Sequence, residues 1–213
     1  LYRNATAITV TSPGIQKNLP ASTQSKTNIM PNGAELNLFK PNISGDGIRR
    51  RWNLKNKFVA LYTGNLGLAQ APEIFIKTAE ILRDNEEITF LIVGAGVLLQ
   101  KLTAMAALKN LENIIFVGNR PRTQMPEFVA AANVCIIPYK AATTFRNTLP
   151  SKMFDYMAGG KPIIINLRGE ASAIIKEAEC GALIDEENPQ ALADAVTALK
   201  ENPHDCRRLG RAG

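Results

Sequence analysis

Residues 147–162, Asn-Thr-Leu-Pro-Ser-Lys-Met-Phe-Asp-Tyr-Met-Ala-Gly-Gly-Lys-Pro, place a cation and a carboxylate one helical turn apart. The segment reads as a short helix opened by Pro150, whose missing N–H costs nothing in a first turn, and closed by Gly159 and Gly160. Ser151 and Lys152 then stand where free backbone N–H groups and the positive end of the helix dipole favour an anion. Asp155, three residues after Lys152, falls on the same side, so both can face one ligand. A lysine at a helix start suits phosphate, and a carboxylate beside it suits a sugar diol. Together they suit a nucleotide-like ligand. The bland alternative is a capped surface helix, and the arrival of Lys152, Asp155, Gly159 and Gly160 together after an apolar run counts against it.

Other chemistries find few residues to use. His204 is the only histidine and lies beside Pro203 in a polar tail, which argues against Ser–His or Cys–His catalysis within this chain. Cys135, Cys180 and Cys206 are odd in number and widely spaced, with no CxxC. That fits reduced thiols in a cytoplasmic setting and no zinc site. No Asp-x-Asp occurs, so nothing in the sequence calls for a divalent metal. A net charge of +6 fits polyanions, acidic lipid headgroups or phosphorylated small molecules. Arg49-Arg50-Arg51, the one dense basic run near the front, reads as a solvated loop or helix end and leaves a peripheral membrane contact open. No apolar run approaches the length that a membrane helix needs.

The elements that must position residues 147–162 follow from hydrophobic patterning. From Lys57 onward, short β-branched apolar runs alternate with helical patterns. The predicted strands are Phe58–Thr63, Thr89–Val93, Ile114–Val117, Val134–Pro138, Ile163–Asn166 and Ala182–Ile184. They are apolar throughout, as parallel strands covered on both faces are. The predicted helices are Ala71–Asp84, Val97–Leu108, Met125–Ala131, Pro150–Ala158, Ala171–Ala178 and Pro189–Glu201. This βα alternation predicts an α/β fold, a doubly wound, Rossmann-like parallel sheet. Residues 1–40 differ: Ala7–Thr11 and Asn28–Pro31 read as strands, with a turn into a short helix over Pro13–Leu19. Residues 41–56 read as a linker or surface segment, and residues 57–213 as the ligand-binding domain.

In such sheets, ligands bind beyond the carboxyl ends of the strands. After the first strand, Gly64-Asn65-Leu66-Gly67 can make a tight turn that lets backbone approach a ligand, or be a plain connection. After the second, Gly94-Ala95-Gly96 starts a dinucleotide fingerprint, but Leu99 replaces its third glycine, so a dinucleotide site is rejected. After the third, Arg120 or Arg122 suits a base or phosphate, or is an ordinary loop cation. After the fourth, the polar loop Ala141–Leu149, with Thr143, Thr144, Arg146, Asn147 and Thr148, leads into the helix at 150. After the fifth, Arg168 and Glu170 suit a pair with each other.

These loops, in this order, resemble the C-terminal, donor-binding domain of a GT-B glycosyltransferase. The nearest likeness is to the large retaining group (family four) with a Glu, seven residues, Glu signature. Residues 1–31 resemble the end of that group's N-terminal, acceptor domain. Asn32-Gly33-Ala34-Glu35 with Phe39-Lys40-Pro41 resembles its interdomain stretch. Pro150–Pro162 is similar to a subgroup that builds bacterial surface polysaccharides, often from UDP-linked N-acetylated sugars. The resemblance places Asp155 at the second Glu, which holds ribose hydroxyls, and Asn147 at the first, which contacts the donor sugar. Asn147 keeps hydrogen bonding without the charge. It implies Lys152 and Asn147 as catalytic residues, and Gly64, Asn65, Gly67, Arg120, Ser151, Lys152 and Asp155 as donor-binding residues. The group's usual cations after the glycine loop are absent here, Leu68 and Gln70 falling in that region. Lys152 then carries more of the diphosphate charge.

The implied reaction moves a sugar from a nucleotide diphosphate, most simply UDP-linked, to a hydroxyl of a glycan or lipid-linked glycan at the cytoplasmic membrane face. It uses no metal and no cofactor, the nucleotide-sugar being a substrate. The acceptor pocket lies mostly in the preceding domain, so this chain is expected to bind donor without turnover. Three alternatives stay open. A catalytically silent nucleotide-sugar module fits the departures at 147 and 155. A sugar-nucleotide epimerase would need cleft histidines that this chain lacks. Nucleic-acid binding rests on charge alone and lacks any RNA-binding aromatic or zinc signature.

Overall fold

The computed structural model describes residues 2–142, 145–185 and 187–213. Its main body is a six-stranded, all-parallel sheet built from β3 (Phe58–Thr63), β4 (Ile88–Val93), β5 (Ile114–Gly118), β6 (Val134–Ile137), β7 (Ile163–Ile165) and β8 (Gly181–Leu183), in the order β5-β4-β3-β6-β7-β8. The order reverses between β3 and β6, which leaves the connections of those two strands to diverge to opposite sides and opens a crevice at their carboxyl ends.

The strands alternate between two apolar layers. Val59, Leu61, Leu91, Val93, Cys135, Ile137, Ile163 and Ile165 face one cluster, and Ala60, Tyr62, Phe90, Ile92, Ile136 and Ile164 face the other. The first is covered by α5 (Met125–Ala131), α6 (Ser151–Ala158) and α7 (Glu170–Glu177). The second is covered by α3 (Glu73–Ile81), α4 (Leu99–Leu108) and α8 (Pro189–Glu201). Every residue of β4 is buried, so the run Ile88–Val93 needs no polar face and shows none.

Two segments carry helices that the patterning did not predict. Residues 41–56, read as a linker or surface segment, contain α2 (Asp46–Arg51), which buries Ile48, with Leu54, against the α5 side of the core. Arg49 belongs to this packing. Its guanidinium donates to the carbonyls of Leu54 and Lys57 (both 3.1 Å) and to Asn133 Oδ1 (2.6 Å), while Arg50 and Arg51 are exposed. The polar tail forms α9 (Pro203–Ala212), opened by the Asn202 side chain capping the Asp205 N–H and anchored by buried Cys206. Two amphipathic turns lie inside charged sequence in each case, and the short apolar stripe is too sparse to register as a periodic pattern.

Ahead of the main sheet, β1 (Ile8–Val10) and β2 (Thr27–Ile29) form a parallel pair around α1 (Pro13–Lys17). All three cysteines are free and buried. Among the described residues, no helix is long and apolar enough to cross a membrane, and no group of His, Cys, Asp and Glu side chains is placed to hold a metal ion.

Candidate functional site

The carboxyl ends of β3 and β4 carry two loops that lie directly on each other. The Gly64 N–H donates to the Val93 carbonyl and the Leu66 N–H to the Ala95 carbonyl (both 2.8 Å). Gly94 has φ +146°, and a Cβ there would stand 1.8 Å from the Gly64 carbonyl oxygen. The glycines of Gly94-Ala95-Gly96 therefore serve loop-on-loop packing, which is why a partial dinucleotide fingerprint occurs without that site. Gly64 itself has φ +129°, and only glycine takes that turn without strain.

Beneath Gly64 lies Lys152. Its Nζ is 4.0 Å from the centroid of the Tyr62 ring, and a Cβ on Gly64 would stand 2.6 Å from it. The side chain is partly buried. Burial, with no carboxylate among the described residues to offset it, pulls the Lys152 ammonium down to about 7. The ring supplies the one electrostatic contact described for it, a cation–π interaction. Tyr62 is held in turn by its hydroxyl donating to the Asn65 carbonyl (2.6 Å).

Helix α6 begins at Ser151, with Pro150 as the residue before the helix rather than in its first turn. No side chain caps its first N–H groups, so these donors and exposed Ser151 stay open to an anion. The helix is tied to β3 by Tyr156, fully buried, whose hydroxyl accepts the Thr63 N–H and bonds the Thr63 hydroxyl (both 2.9 Å). A second tie links the ends of β6 and β7: the Asn166 amide accepts the Tyr139 N–H (2.7 Å) and donates to the Tyr139 carbonyl (2.8 Å).

Lys152 and Asp155 hold different partners. Asp155 is buried and takes a two-pronged ion pair from Arg122, Nη1 to Oδ2 at 2.6 Å and Nη2 to Oδ1 at 2.8 Å. The guanidinium lies over the Phe39 ring at 4.8 Å and approaches Glu35 Oε1 at 3.5 Å. Arg120 and Arg122 take different positions. Arg122 is ion-paired to the helix that carries Lys152, whereas Arg120 is half-buried and donates to its neighbour's carbonyl at Asn119. Arg120 lines a cavity of about 360 Å³ with Gly64, Asn65, Gly94, Asn119 and Met125. Gly67 sits at the start of the short turn Leu68–Gln70, close to the Asn65 amide.

Asn147 meets the front segment instead. Its carbonyl accepts the buried Ser12 hydroxyl (2.8 Å), and its side-chain oxygen would stand 2.4 Å from a Cβ on Gly14. The Gly14 N–H donates to Glu170 Oε1 (2.5 Å), and Asn32 donates to the Leu149 carbonyl (2.8 Å). Arg168 and Glu170 therefore do not pair with each other: Arg168 reaches Asp185 (3.0 Å), and Glu170 holds Gly14. Residues more than 100 positions apart meet here, and no spacing pattern announces that. Thr143 and Thr144 lie outside the described residues.

The assembled site combines a partly buried cation, open helix N–H groups and a cavity at a sheet switch point, groups that can hold an anion. Residues 46–213 match the family model "Glycosyl transferases group 1". A D-inositol 3-phosphate glycosyltransferase of Acidothermus cellulolyticus is 28% identical over 182 residues, 80% of this chain and 40% of that protein. The structure of Anabaena HepE in complex with UDP and glucose superposes with a TM-score of 0.85 at 19% identity, covering 99% of this chain and 58% of that one. WaaG, a glycosyltransferase involved in lipopolysaccharide biosynthesis, gives 0.76 at 17% identity over 96% of this chain and 56% of that one. At such identities the two structures bear on the fold. The chain spans about half the length of the curated relatives it matches.

Proposed function

The chain belongs to the glycosyl transferases group 1 family, and from that premise we propose that it is the donor-binding half of a retaining, family-four enzyme that uses a UDP-linked sugar, of the N-acetylhexosamine type, in bacterial surface-polysaccharide synthesis. The observation that carries the donor reading is Lys152, a partly buried ammonium without a carboxylate partner among the described residues, set beneath the Gly64 turn at the open start of α6.

The hard step in such a transfer is departure of the diphosphate as negative charge builds on its oxygens. Lys152 and the first N–H groups of α6 supply fixed positive charge there, so little reorganisation is needed when the charge develops. The nucleoside is read into the cavity lined by Asn65, Gly94 and Arg120. Ser151 adds a hydroxyl beside the phosphates, and Asn147 offers an amide for the sugar. The acceptor, a glycan or lipid-linked glycan, binds mainly to the preceding domain at the inner membrane face.

A thermal-shift panel with UDP, GDP, ADP, UDP-N-acetylglucosamine and NAD tests this. A ligand that binds only the folded state adds about 2.7 kcal/mol at 100 times its dissociation constant. Stabilisation by UDP species and not by NAD is expected. No response to any of the three diphosphates would overturn the donor reading. A silent nucleotide-sugar module is favoured by one observation, the packing of Asn147 against Gly14. Sugar transfer by a chain that includes the acceptor domain would exclude it.

A further inference from the structure

The amino ends of β3, β4 and β5 surround a cavity of about 620 Å³ at the pole of the sheet opposite the crevice. The length of β4 separates the two, about 20 Å of strand. The volume falls among those of small-molecule sites, roughly 300–1,000 Å³. Two buried polar atoms of the lining residues have no partner among the described residues, the indole Nε1 of Trp52 and the Oδ1 of Asn113. Trp52 is partly buried, and Asn113 is 8% exposed. The Asn113 amide is fixed in orientation. Its Nδ2 donates to the carbonyls of Ala79 (2.9 Å) and Leu82 (3.1 Å) at the end of α3, which leaves Oδ1 as a free acceptor. Buried polar groups left unpaired are costly, and folded proteins pair nearly all of them. These two are of opposite kind, one donor and one acceptor.

We propose that this cavity is a second ligand site, for an uncharged stretch of glycan. A hydroxyl both donates and accepts, so a sugar answers the Trp52 N–H and the Asn113 oxygen with one kind of group. Charge in the lining is balanced, with Lys57, Arg83 and Lys109 set among Asp84, Glu86 and Glu112. With no net charge to select an anion or a cation, these side chains offer hydroxyls hydrogen bonds of both polarities. Part of the donor capacity is already used: Arg83 donates to the Lys109 carbonyl (3.1 Å), and Lys109 pairs with Glu80 (2.7 Å). The three lining carboxylates have no partner among the described residues, so their oxygens are free to accept. Trp52 also brings an aromatic ring, an apolar surface with one polar handle, which suits the C–H face of a pyranose. Under the function proposed above, holding a distant part of a glycan returns its end to the reacting centre at a raised effective concentration. The site itself does not rest on the donor reading.

Trp52 is the only tryptophan in the chain, so tryptophan fluorescence and the one indole N–H resonance both report on this cavity. The test titrates maltotetraose, cellotetraose and triacetylchitotriose, with a sulfated heparin tetrasaccharide as the charged control, and follows both signals. At least one neutral oligosaccharide should move both to saturation, and the heparin fragment should bind about tenfold more weakly or not at all. Affinity for the neutral sugar should change less than about twofold between about 0.05 and 0.3 M salt, since no net charge is there to be screened. Trp52→Phe keeps an aromatic ring and removes the N–H. Followed by calorimetry, it should weaken the sugar about 3- to 10-fold, the range of a neutral hydrogen bond. Glu112→Ala removes an exposed, unpartnered carboxylate, so it should weaken the sugar by about the same factor and leave the Tm unchanged. Signals that no neutral sugar moves would leave the two atoms to water and overturn the proposal. Preference for the heparin fragment would overturn it in favour of an anion site. Unchanged affinity in both variants, or displacement of the sugar by UDP, would put the sugar elsewhere and overturn it too. Sugar binding without any response to UDP would strike the donor reading alone.

Discussion

If Lys152 is the counter-ion of the donor diphosphate, nucleotide binding takes up a proton, and its strength falls as pH rises above neutrality. Burial holds the free ammonium at about 7, with the Tyr62 ring against it. A bound diphosphate adds negative charge beside Nζ and raises that value, so the complex keeps a proton that the free protein lacks. About half of the free molecules carry the charge at pH 7 and about one in a hundred at pH 9, so UDP affinity should fall about fifty-fold, about 2.3 kcal/mol, across that range. The nucleotide does not mask this, because a terminal phosphate loses its second proton near pH 6, below the window. Titration calorimetry at pH 8 in two buffers of different ionisation enthalpy should report uptake of about 0.9 proton per UDP. Lys152→Met keeps most of the side-chain volume and removes the charge. It should bind UDP about 1.5–3 kcal/mol more weakly at pH 7, with no fall between pH 7 and 9 and no proton uptake. Wild-type affinity constant within twofold from pH 7 to 9, or the same slope in Lys152→Met, would refute the assignment. Folding has its own sign. The depressed value of Lys152 means that the folded state binds fewer protons than the unfolded chain between about 7 and 10.5. This group's contribution to stability therefore rises with pH through that window and is least favourable below it.

Gly94→Ala should be severely destabilising, because its Cβ would stand 1.8 Å from the Gly64 carbonyl oxygen at a φ of +146°; a loss of about 3 kcal/mol or more, seen as a fall in Tm of roughly 6–12 °C, is expected, and an unchanged Tm would mean that the two loops are not in contact. Tyr156→Phe leaves the Thr63 N–H without its partner inside the core and should cost about 1–3 kcal/mol in urea unfolding. The same change loosens the tie between β3 and α6, so UDP affinity should fall with it, and a variant that loses stability but binds UDP normally would separate that tie from the site. Adding chelator should leave UDP affinity unchanged; a large loss would reveal a metal requirement that the donor reading does not contain.

Much of the fold was legible because its cause is local. Phe58–Thr63, Met125–Ala131 and Pro189–Glu201 form with the bounds that their patterning predicts, and the other sheet strands agree within a residue or so at their ends. Buried parallel strands are apolar on both faces, and the helices between them carry one apolar stripe, so each element announces itself within a short window. Helices α2 and α9 were not legible, since each buries only one or two side chains within charged sequence. In the site, Lys152, Ser151 and Gly64 could be picked out because a lysine at a helix start and a glycine after a strand have local physical meanings. The roles of Arg122, Tyr62, Tyr156 and Glu170 could not.

The sequence by itself determined the doubly wound sheet and the helix start that offers positive charge at its crevice, because hydrophobic period, proline and glycine act on their own neighbours. Only the tertiary structure decided which charges meet. It set Lys152 against the Tyr62 ring, gave Asp155 to Arg122, and gave Glu170 to the Gly14 N–H. Those pairings join residues 33 to 156 positions apart. They depend on where separate loops come to rest on a finished sheet, and no spacing along the chain encodes that distance.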